Sequence, residues 1–213
     1  MIRLLLFCLA GVLATSTTSL ADDFATSANP IFDGKTTQGW EGNEKWFRVE
    51  EGAIVAGSMK EKIPHNEFLC TEKQYGDFDL RLEAKLIGDG KNAGVQFRSK
   101  RIPNDSELIG YQADIGTMKE QSIWGALYDE SRRRVFLSHD PEASDAATKA
   151  GWNKIRILCQ GPRIQIFVND KQTVDYTETE KDIPLTGIIG LQIHSGAPAE
   201  AWYRNVRIVE LSK

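Results

Sequence analysis

Three segments of this sequence place polar side chains at alternate positions between apolar residues. Because side chains of a β-strand alternate between its two faces, the polar members of each segment would share one face. These polar residues are three amides, an acid, a histidine and an arginine: Gln96, Arg98, Gln112, Asp114, Gln192 and His194. A fourth segment adds Trp124, Tyr128 and Glu130. Sugars bind to planar polar groups and stacking rings, so the combined set predicts a carbohydrate-like site. For each residue taken alone, a solvated outer strand face is the alternative.

The sequence lacks the motifs of several common chemistries. It contains no Gly-x-Ser-x-Gly nucleophile elbow, no phosphate-binding P-loop and no Cys-x-x-Cys pair. Gly88, Gly90 and Gly94 do not have the spacing of a dinucleotide-binding loop, and no two histidines have zinc-ligand spacing. These patterns disfavour serine hydrolases, nucleotide-dependent enzymes and zinc sites of standard spacing.

The composition is that of an ordinary globular protein. The chain has 213 residues, of which 41% are hydrophobic, so it can form a substantial core. Lys and Arg number 26 against 30 Asp and Glu, which gives a formal net charge of −4. A mildly acidic chain without a basic block is a poor candidate for neutralising phosphates, so we expect no nucleic-acid partner.

Period-2 alternation is the main pattern of the sequence, and helical periodicity is nearly absent. The clearest run is Phe78 to Leu86, where five apolar residues alternate with four charged ones. Further strands are predicted at 155–159 and 164–168, and near 45–57, 67–73, 92–101, 109–115, 121–128, 186–195 and 201–211. Gly161-Pro162 predicts a hairpin turn, and 140–149 a short helix or loop. Many short strands predict an all-β sandwich or jelly roll, formed by residues 22–213 as a single domain.

Residues 1–21 have the pattern of a secretory signal peptide. Arg3 precedes an apolar run at 4–13, and small residues stand at the −3 and −1 positions of a cleavage after Ala21. The apolar run is too short to span a bilayer. We therefore expect export to the periplasm or the exterior without a membrane span. The cleaved chain would keep two cysteines, which either pair or remain buried thiols: Cys70 and Cys159.

Seven segments, in order along nearly the whole of 22–213, resemble the 3-keto-disaccharide hydrolase domain family. They are Ile31-Phe-Asp-Gly-Lys35 with Gly39-Trp40; Trp46-Phe-Arg-Val-Glu-Glu-Gly52; Tyr75-Gly-Asp-Phe-Asp-Leu-Arg-Leu-Glu83; Asn92-Ala-Gly-Val-Gln-Phe-Arg-Ser99; Gly110-Tyr-Gln-Ala-Asp-Ile115; Gly151-Trp-Asn-Lys154; and Gly190-Leu-Gln-Ile-His194 with Arg204-Asn-Val-Arg-Ile208. The resemblance implies a concanavalin A-like jelly roll of two antiparallel sheets, with the site on the concave sheet.

That fold also occurs in retaining glucanases, which use a Glu-x-Asp-x-x-Glu strand to aim two carboxyl groups at one bond. The comparable segment here runs from Gln112 to Thr117 and has neither glutamate. Many family relatives carry Glu where this chain has Gln112. We therefore expect no acid role for Gln112 and no ordinary retaining glycanase activity.

The resemblance instead implies cleavage of 3-keto-glycosides. A ketone at C3 acidifies the hydrogen at C2, so a base can remove that proton, the enolate can expel the C1 substituent, and water can add. This chemistry needs one base, a group that stabilises the enolate, and groups that position the ring. We predict Asp114 or His194 as the base, Arg98 as the clamp, and Glu130 as a second acid or as the partner of Arg98. The predicted substrate-binding residues, with both aromatic rings stacking on the sugar, are Gln96, Gln112, Trp124, Tyr128 and Gln192.

Cofactor and partner expectations follow from the same chemistry. A separate sugar 3-oxidoreductase must supply the ketone, because the chain has no dinucleotide-binding motif. A divalent cation could replace Arg98 as the charge stabiliser, with Asp114, Glu130 and His194 as ligands, although no dedicated metal motif is present. The alternative to an enzyme is a non-catalytic carbohydrate-binding module on the same fold.

Overall fold

The computed structural model describes Phe24 and residues 27–212, so the predicted signal peptide at 1–21 lies outside the described residues. The helix α1 spans Pro141–Ala147. The strands of the described part are β1 (Asn29–Pro30), β2 (Trp40–Glu41), β3 (Phe47–Glu50), β4 (Ala53–Ser58), β5 (Glu67–Thr71), β6 (Phe78–Gly88), β7 (Asn92–Arg101), β8 (Leu108–Met118), β9 (Gln121–Ser122), β10 (Leu127–Glu130), β11 (Phe136–Ser138), β12 (Asn153–Gln160), β13 (Arg163–Val168), β14 (Lys171–Thr177), β15 (Ile188–Ile193) and β16 (Ala199–Glu210).

The strands form two sheets. Sheet A has the order β14-β13-β12-β6-β16-β4-β3, with β1 paired to β16. Sheet B has the order β11-β10-β8-β7-β15-β5-β2, with β9 paired to β8. The strand pairs in both sheets are antiparallel, and several neighbours in space are distant in sequence, as crossovers between two packed sheets produce. The predicted all-β jelly-roll sandwich is confirmed.

The core lies between the sheets because each long strand turns its apolar face inward. In β6, Phe78, Leu80 and Leu82 are buried in the main apolar cluster, as alternation predicts. Val95 of β7 enters the same cluster from sheet B. The polar residues between them consequently point away from the core. The two outer faces of the sandwich are therefore where chemistry can be placed.

A buried hydroxyl fixes the central strands of sheet B against sheet A. Tyr203 of β16 lies in the core and donates its hydroxyl to the carbonyl of Gln192 on β15, at 2.5 Å. The same oxygen lies 3.2 Å from the carbonyl of Gly94 on β7. Strands β7 and β15 are thus held at a fixed depth, which positions the side chains on their outer face.

Two predicted strands are broken by turns. The segment 45–57 forms β3 and β4, because Glu51 and Gly52 adopt positive φ angles of 49° and 73° and close a hairpin. The segment 121–128 forms β9 and the start of β10, and Trp124 lies in the turn between them. Gly125 has a φ of 72° there, a conformation that glycine adopts without steric cost.

Helix α1 confirms the short helix expected within 140–149. Asp140 caps it by accepting hydrogen bonds from the amides of Glu142 and Ala143, and Pro141 occupies its first turn. In the described part of the chain, no helix is long and apolar enough to cross a membrane.

The two cysteines are free thiols in different sheets. Cys70 lies in β5 of sheet B and Cys159 in β12 of sheet A, and both are buried. Burial raises the pKa of each thiol to about 12. Because the thiolate is the reactive form, neither residue is suited to nucleophilic chemistry.

Candidate active site

A pocket of about 360 Å³ is built on the outer face of sheet B. It brings together five of the predicted site residues: Gln112, Asp114, Tyr128, Glu130 and His194. The remaining lining residues are Asn66, Asn92, Met118, Arg134, Val135 and Phe136. The regular strands β7, β8 and β10 supply the polar floor, which gives the site a rigid base.

Asp114 is a buried carboxyl group that has only an amide as a side-chain partner. It is 4% exposed, and Gln112 donates its Nε2 hydrogen to Asp114 Oδ1 at 2.6 Å. Burial raises the pKa of Asp114 to about 8; the hydrogen bond from Gln112 opposes this rise and the charge of Glu130 adds to it. The carboxyl group is therefore mostly protonated at neutral pH and can still release its proton.

The Gln112–Asp114 contact depends on a glycine on the neighbouring strand. Gly94 of β7 lies directly opposite Asp114 of β8. A Cβ atom at Gly94 would stand 2.5 Å from Cδ of Gln112 and 2.9 Å from its Nε2. The missing side chain lets the amide of Gln112 lie across β7 and reach Asp114.

His194 follows β15 and is held by a chain of hydrogen bonds. Its Nδ1 lies 2.8 Å from the carbonyl oxygen of Ser195, and because a carbonyl only accepts, Nδ1 carries the proton. Ser195 in turn donates its amide to Asn66 Oδ1 at 2.9 Å, and Asn66 donates to Glu107 Oε1 at 2.9 Å. In the neutral ring, Nε2 of His194 is therefore the nitrogen that can take up a proton.

The wall formed by β10 and β11 combines an acid with aromatic rings. Burial raises the pKa of Glu130, and hydrogen bonding from Ser131 together with the electrostatic effects of His194 and Arg134 offsets this rise only in part. The rings of Tyr128 and Phe136 meet edge to face at 5.2 Å. Glu130 thus joins Asp114 as a second carboxyl group whose environment favours the protonated form.

Arg134 supplies a permanent positive charge at the pocket. Its neighbours Arg132 and Arg133 both pair with the buried Asp129. Arg134 has a φ of 56°, which turns the chain, and its exposed side chain lines the pocket instead. A guanidinium group therefore lines the same pocket as the acids, although it is not the one predicted from the sequence.

Two amide oxygens in the pocket are unused. Gln112 Oε1 and Asn92 Oδ1 are buried and have no hydrogen-bond partner among the described residues. Both atoms only accept hydrogen bonds, so hydroxyl groups of a ligand fit them. Leaving such buried acceptors unpaired costs about 1–3 kcal/mol each, which a hydroxyl-rich ligand would recover.

Arg98 does not lie in this pocket, which corrects the prediction of a substrate clamp. The β7–β8 register shifts between Phe97 and Lys100, and Arg98 has a φ of 48°, so a bulge breaks the alternation there. The Arg98 side chain is fully buried and bonds to Asp77 Oδ1 at 2.9 Å and to the carbonyls of two glycines. Its contacts hold loops of the sandwich together, and Glu130 does not orient it.

Three predicted substrate-binding residues also lie outside the pocket lining. Trp124 is 8% exposed and packs in the main core, because it sits in the β9–β10 turn. Gln96 and Gln192 share the outer face of sheet B but are fully buried. Gln96 Oε1 accepts a hydrogen bond from Ser99 at 2.6 Å. The stacking role predicted for Trp124 is therefore not supported by its position, and Tyr128 is the predicted ring that reaches the pocket.

The acids and the histidine do not share a metal position. No group of three or more His, Cys, Asp or Glu side chains within Phe24 and residues 27–212 is arranged to hold a metal ion. Asp114, Glu130 and His194 thus do not form the ligand set of the divalent-cation alternative.

Sequence reasoning missed six residues that line the pocket, and only some of them could have been found from a pattern in the sequence. Asn92 is in phase with Gly94 and Gln96, so extending the same alternation would have found it. Arg134 belongs to the run Arg132-Arg133-Arg134, and a run of like charges is typical of a solvated turn rather than of a site. Phe136 belongs to a three-residue strand, which is too short to show a period.

Comparison with protein-family models identifies the family to which this chain is related. The model of the 3-keto-alpha-glucoside-1,2-lyase-like domain matches residues 27–209. The chain belongs to this family. Membership in the 3-keto-alpha-glucoside-1,2-lyase-like family implies a function on glycosides and confirms the resemblance seen in the sequence. A search of curated proteins found no match to the chain.

Solved structures share the fold of this family member. A Parabacteroides distasonis ATCC 8503 protein, provisionally assigned as a glycosyl hydrolase, has a TM-score of 0.64 and 18% identity, covering 92% of this chain and 99% of its own. The carbohydrate-binding module CBM66 of Bacillus subtilis has a TM-score of 0.60 and 16% identity, covering 81% and 96%. The β-glucanase of Bacillus licheniformis has a TM-score of 0.55 and 15% identity, covering 86% and 97%. At these identities the likeness concerns the fold alone.

Proposed function

We propose that this protein is an exported enzyme that cleaves 3-keto-glycosides by C2 proton abstraction, elimination and hydration. One observation carries the proposal: a single pocket is lined by a buried carboxyl group, that of Asp114, and by a histidine ring whose Nε2 can accept a proton. Family membership indicates that the substrate is a glycoside, and the pocket provides an acid and a base for its cleavage.

His194 acts as the base. Its Nδ1–H is bonded to the carbonyl of Ser195, so the ring presents a neutral Nε2 to the substrate. Nε2 takes the proton from C2, and the electron pair of that C–H bond forms the enolate with the C3 ketone. The positive charge of Arg134 and the hydroxyl of Tyr128 stabilise the enolate oxygen.

Asp114 acts as the acid. The enolate re-forms the C3 ketone, makes a C1–C2 double bond and breaks the bond from C1 to the glycosidic oxygen. Asp114 protonates that leaving oxygen, a task suited to a pKa of about 8. The leaving group departs as an alcohol, and Asp114 becomes a carboxylate. Glu130 is the second acid of the pocket and holds a sugar hydroxyl.

Hydration returns both groups to their starting states. Asp114 takes a proton from water as the water oxygen adds to C1, and protonated His194 gives a proton to C2. The net reaction is hydrolysis of the glycosidic bond, and no electrons are gained or lost. Since the reaction starts from a ketone, a separate sugar 3-oxidoreductase must oxidise the glycoside first.

A chromogenic assay tests the proposal. The purified protein is incubated with a 3-keto-glucoside that carries a nitrophenol leaving group, beside the unoxidised glucoside, each with and without chelator. We expect release from the keto substrate alone and insensitivity to chelator. With the methyl 3-keto-glucoside, whose poor leaving oxygen must be protonated, we expect a rate that falls as the pH rises through about 8, where Asp114 loses its proton.

The same assay separates the enzyme from a binding module. A His194→Ala variant of an enzyme should lose release while it still binds the sugar. Absence of release from the wild type, with measurable binding of either sugar by calorimetry, would reject the enzyme and favour the non-catalytic carbohydrate-binding module.

A further inference from the structure

The rim of the pocket is apolar, whereas its floor is polar. Met118 is 40% exposed and Val135 is 48% exposed, and both line the pocket. They are two of the five exposed large apolar side chains in the described part of the chain. Scattered apolar residues on a surface need no explanation, but two on the rim of one polar pocket indicate an apolar contact there.

Two aromatic rings extend this rim and are held in place. Phe136 packs edge to face on Tyr128 at 5.2 Å. Its ring also stacks on His139 at 4.6 Å. The side chain of His139 is tied to the carbonyl of Ser122 at 2.8 Å. Because these contacts fix the rings without a ligand, the rim offers a preorganised apolar surface.

Strand β8 connects the floor to the rim. Asp114 and Met118 both lie on β8, four residues apart, which corresponds to roughly 13 Å along an extended strand. A sugar ring at the acid and amide floor would have its glycosidic oxygen at Asp114. The group attached to that oxygen would then extend toward Met118 and Val135.

We propose that the group released from the sugar is an apolar, ring-containing aglycone. This inference rests on the proposed function, because it names the leaving group of that same cleavage. A second sugar in this position would bring hydroxyl groups against Met118, Val135 and Phe136, which offer them no hydrogen bonds. An aromatic or alicyclic ring would instead bury apolar surface on the rim.

Three substrates with the same 3-keto-glucosyl group test the inference: the benzyl, methyl and glucosyl glycosides. Benzyl alcohol and methanol are leaving groups of similar acidity, so a difference between the two glycosides reports contact with the rim rather than leaving-group chemistry. We expect kcat/KM for the benzyl glycoside to exceed that for the methyl glycoside roughly 10-fold, from partial burial of one ring. We also expect it to exceed the value for the glucosyl glycoside.

Variants of the rim residues test whether the preference for the benzyl glycoside arises from contact with the rim. Met118→Ser and Val135→Ser should each lower the benzyl-to-methyl ratio of kcat/KM about 3-fold, because each removes part of the apolar contact. Met118→Leu should keep the ratio. Met59→Ser is the matched control, since Met59 is 48% exposed but does not line the pocket, and it should leave the ratio unchanged.

The outcomes distinguish failure of the apolar aglycone from failure of the proposed 3-keto cleavage. Equal kcat/KM for the benzyl and methyl glycosides, or a preference for the glucosyl glycoside, would overturn the apolar aglycone and leave 3-keto cleavage intact. Rim variants that keep the wild-type ratio would overturn it as well. Absence of product from all three substrates would overturn the proposed function and this inference together.

Discussion

Each outer face of the sandwich carries a buried aspartate, and the two aspartates differ in their hydrogen-bond partners. Asp79 on sheet A is 6% exposed and receives hydrogen bonds from the guanidinium groups of Arg81 and Arg156. Asp114 on sheet B is 4% exposed and receives one from the amide of Gln112. Both residues lie on long strands and differ chiefly in what faces them.

Glutamates on the two sheets differ in the same way as the two aspartates. On sheet A, burial opposes ionisation of Glu83, but hydrogen bonds from Arg204 and Asn205 prevail and lower its pKa. On sheet B, burial raises the pKa of Glu130 and of Glu107. These carboxylates of sheet A therefore form ion pairs, whereas the carboxyl groups at and beside the pocket on sheet B can exchange protons. An acid without a cationic partner reduces stability, and a functional site is where such a cost is expected.

The largest contrast should come from replacing the carboxyl group of each aspartate by an amide in turn. Asp114→Asn should lower turnover of the methyl 3-keto-glucoside roughly 10³-fold, because an amide cannot protonate the leaving oxygen. Asp79→Asn should keep turnover within about 3-fold and lower the free energy of unfolding by roughly 1–3 kcal/mol, since it weakens two ion pairs. Release assays and denaturant titrations of both variants measure these effects. Equal losses of turnover in the two variants would remove the distinction between the faces.

A smaller effect is expected from filling the space at Gly94. Gly94→Ala should lower kcat roughly 10- to 100-fold, because the new Cβ displaces the Gln112 amide from Asp114. Gly76→Ala is the control, since its Cβ would meet the methyl group of Thr186 at 3.3 Å and the carbonyl oxygen of Leu185 at 4.0 Å, and neither group lines the pocket. A kcat for Gly94→Ala equal to that of the control would show that the Gln112–Asp114 contact is not needed.

The hydrogen-bond chain behind His194 should have a more modest influence. Asn66→Ala removes the link between Ser195 and Glu107, so His194 loses its support but keeps its chemistry. We expect kcat to fall about 10-fold with KM changed less than 3-fold. Asn43→Ala, which removes a comparable Asn–Glu contact with Glu67 outside the pocket, serves as the control. A rise in KM at constant kcat would instead assign Asn66 to substrate binding.

The last prediction concerns stability, rather than turnover, as a function of pH. The pKa of Asp114 rises from 3.8 to about 8 on folding, so between these values the folded state binds the extra proton. The contribution of Asp114 to stability is thus fully present below pH 3.8 and is lost as the pH rises through 8, with a limiting slope of about 1.4 kcal/mol per pH unit. Denaturant titrations from pH 5 to 8 should show a flatter profile for Asp114→Asn than for the wild type. Parallel profiles would show that Asp114 ionises normally.

Alternation in the sequence predicted those parts of the site that lie on regular strands. Gln112 and Asp114 share a face because β8 runs without a bulge between them, and His194 follows β15 in the same phase. Arg98 could not be placed, since the bulge that buries it depends on contacts with distant loops at Gly76 and Gly161.

Turns and short strands account for the rest of what sequence reasoning missed. Trp124 was expected on a strand, but the turn at Gly125 directs it into the core. Arg134 and Phe136 reach the pocket because β10 and β11 fold back beside β8, an arrangement fixed by tertiary packing. The two sheets themselves were predictable, because each long strand buries one apolar face.

The fate of the C2 hydrogen tests the central claim most directly. The protein is incubated with a 3-keto-glucoside in deuterium oxide, and the released 3-keto-sugar is analysed by mass spectrometry and NMR at early times. The free sugar incubated without protein corrects for spontaneous exchange. The imidazolium proton of His194 exchanges with solvent deuterium before hydration, so proton abstraction followed by hydration predicts one deuterium at C2 of each product molecule. Product that retains its original C2 hydrogen, at the level of the protein-free control, would contradict the elimination mechanism.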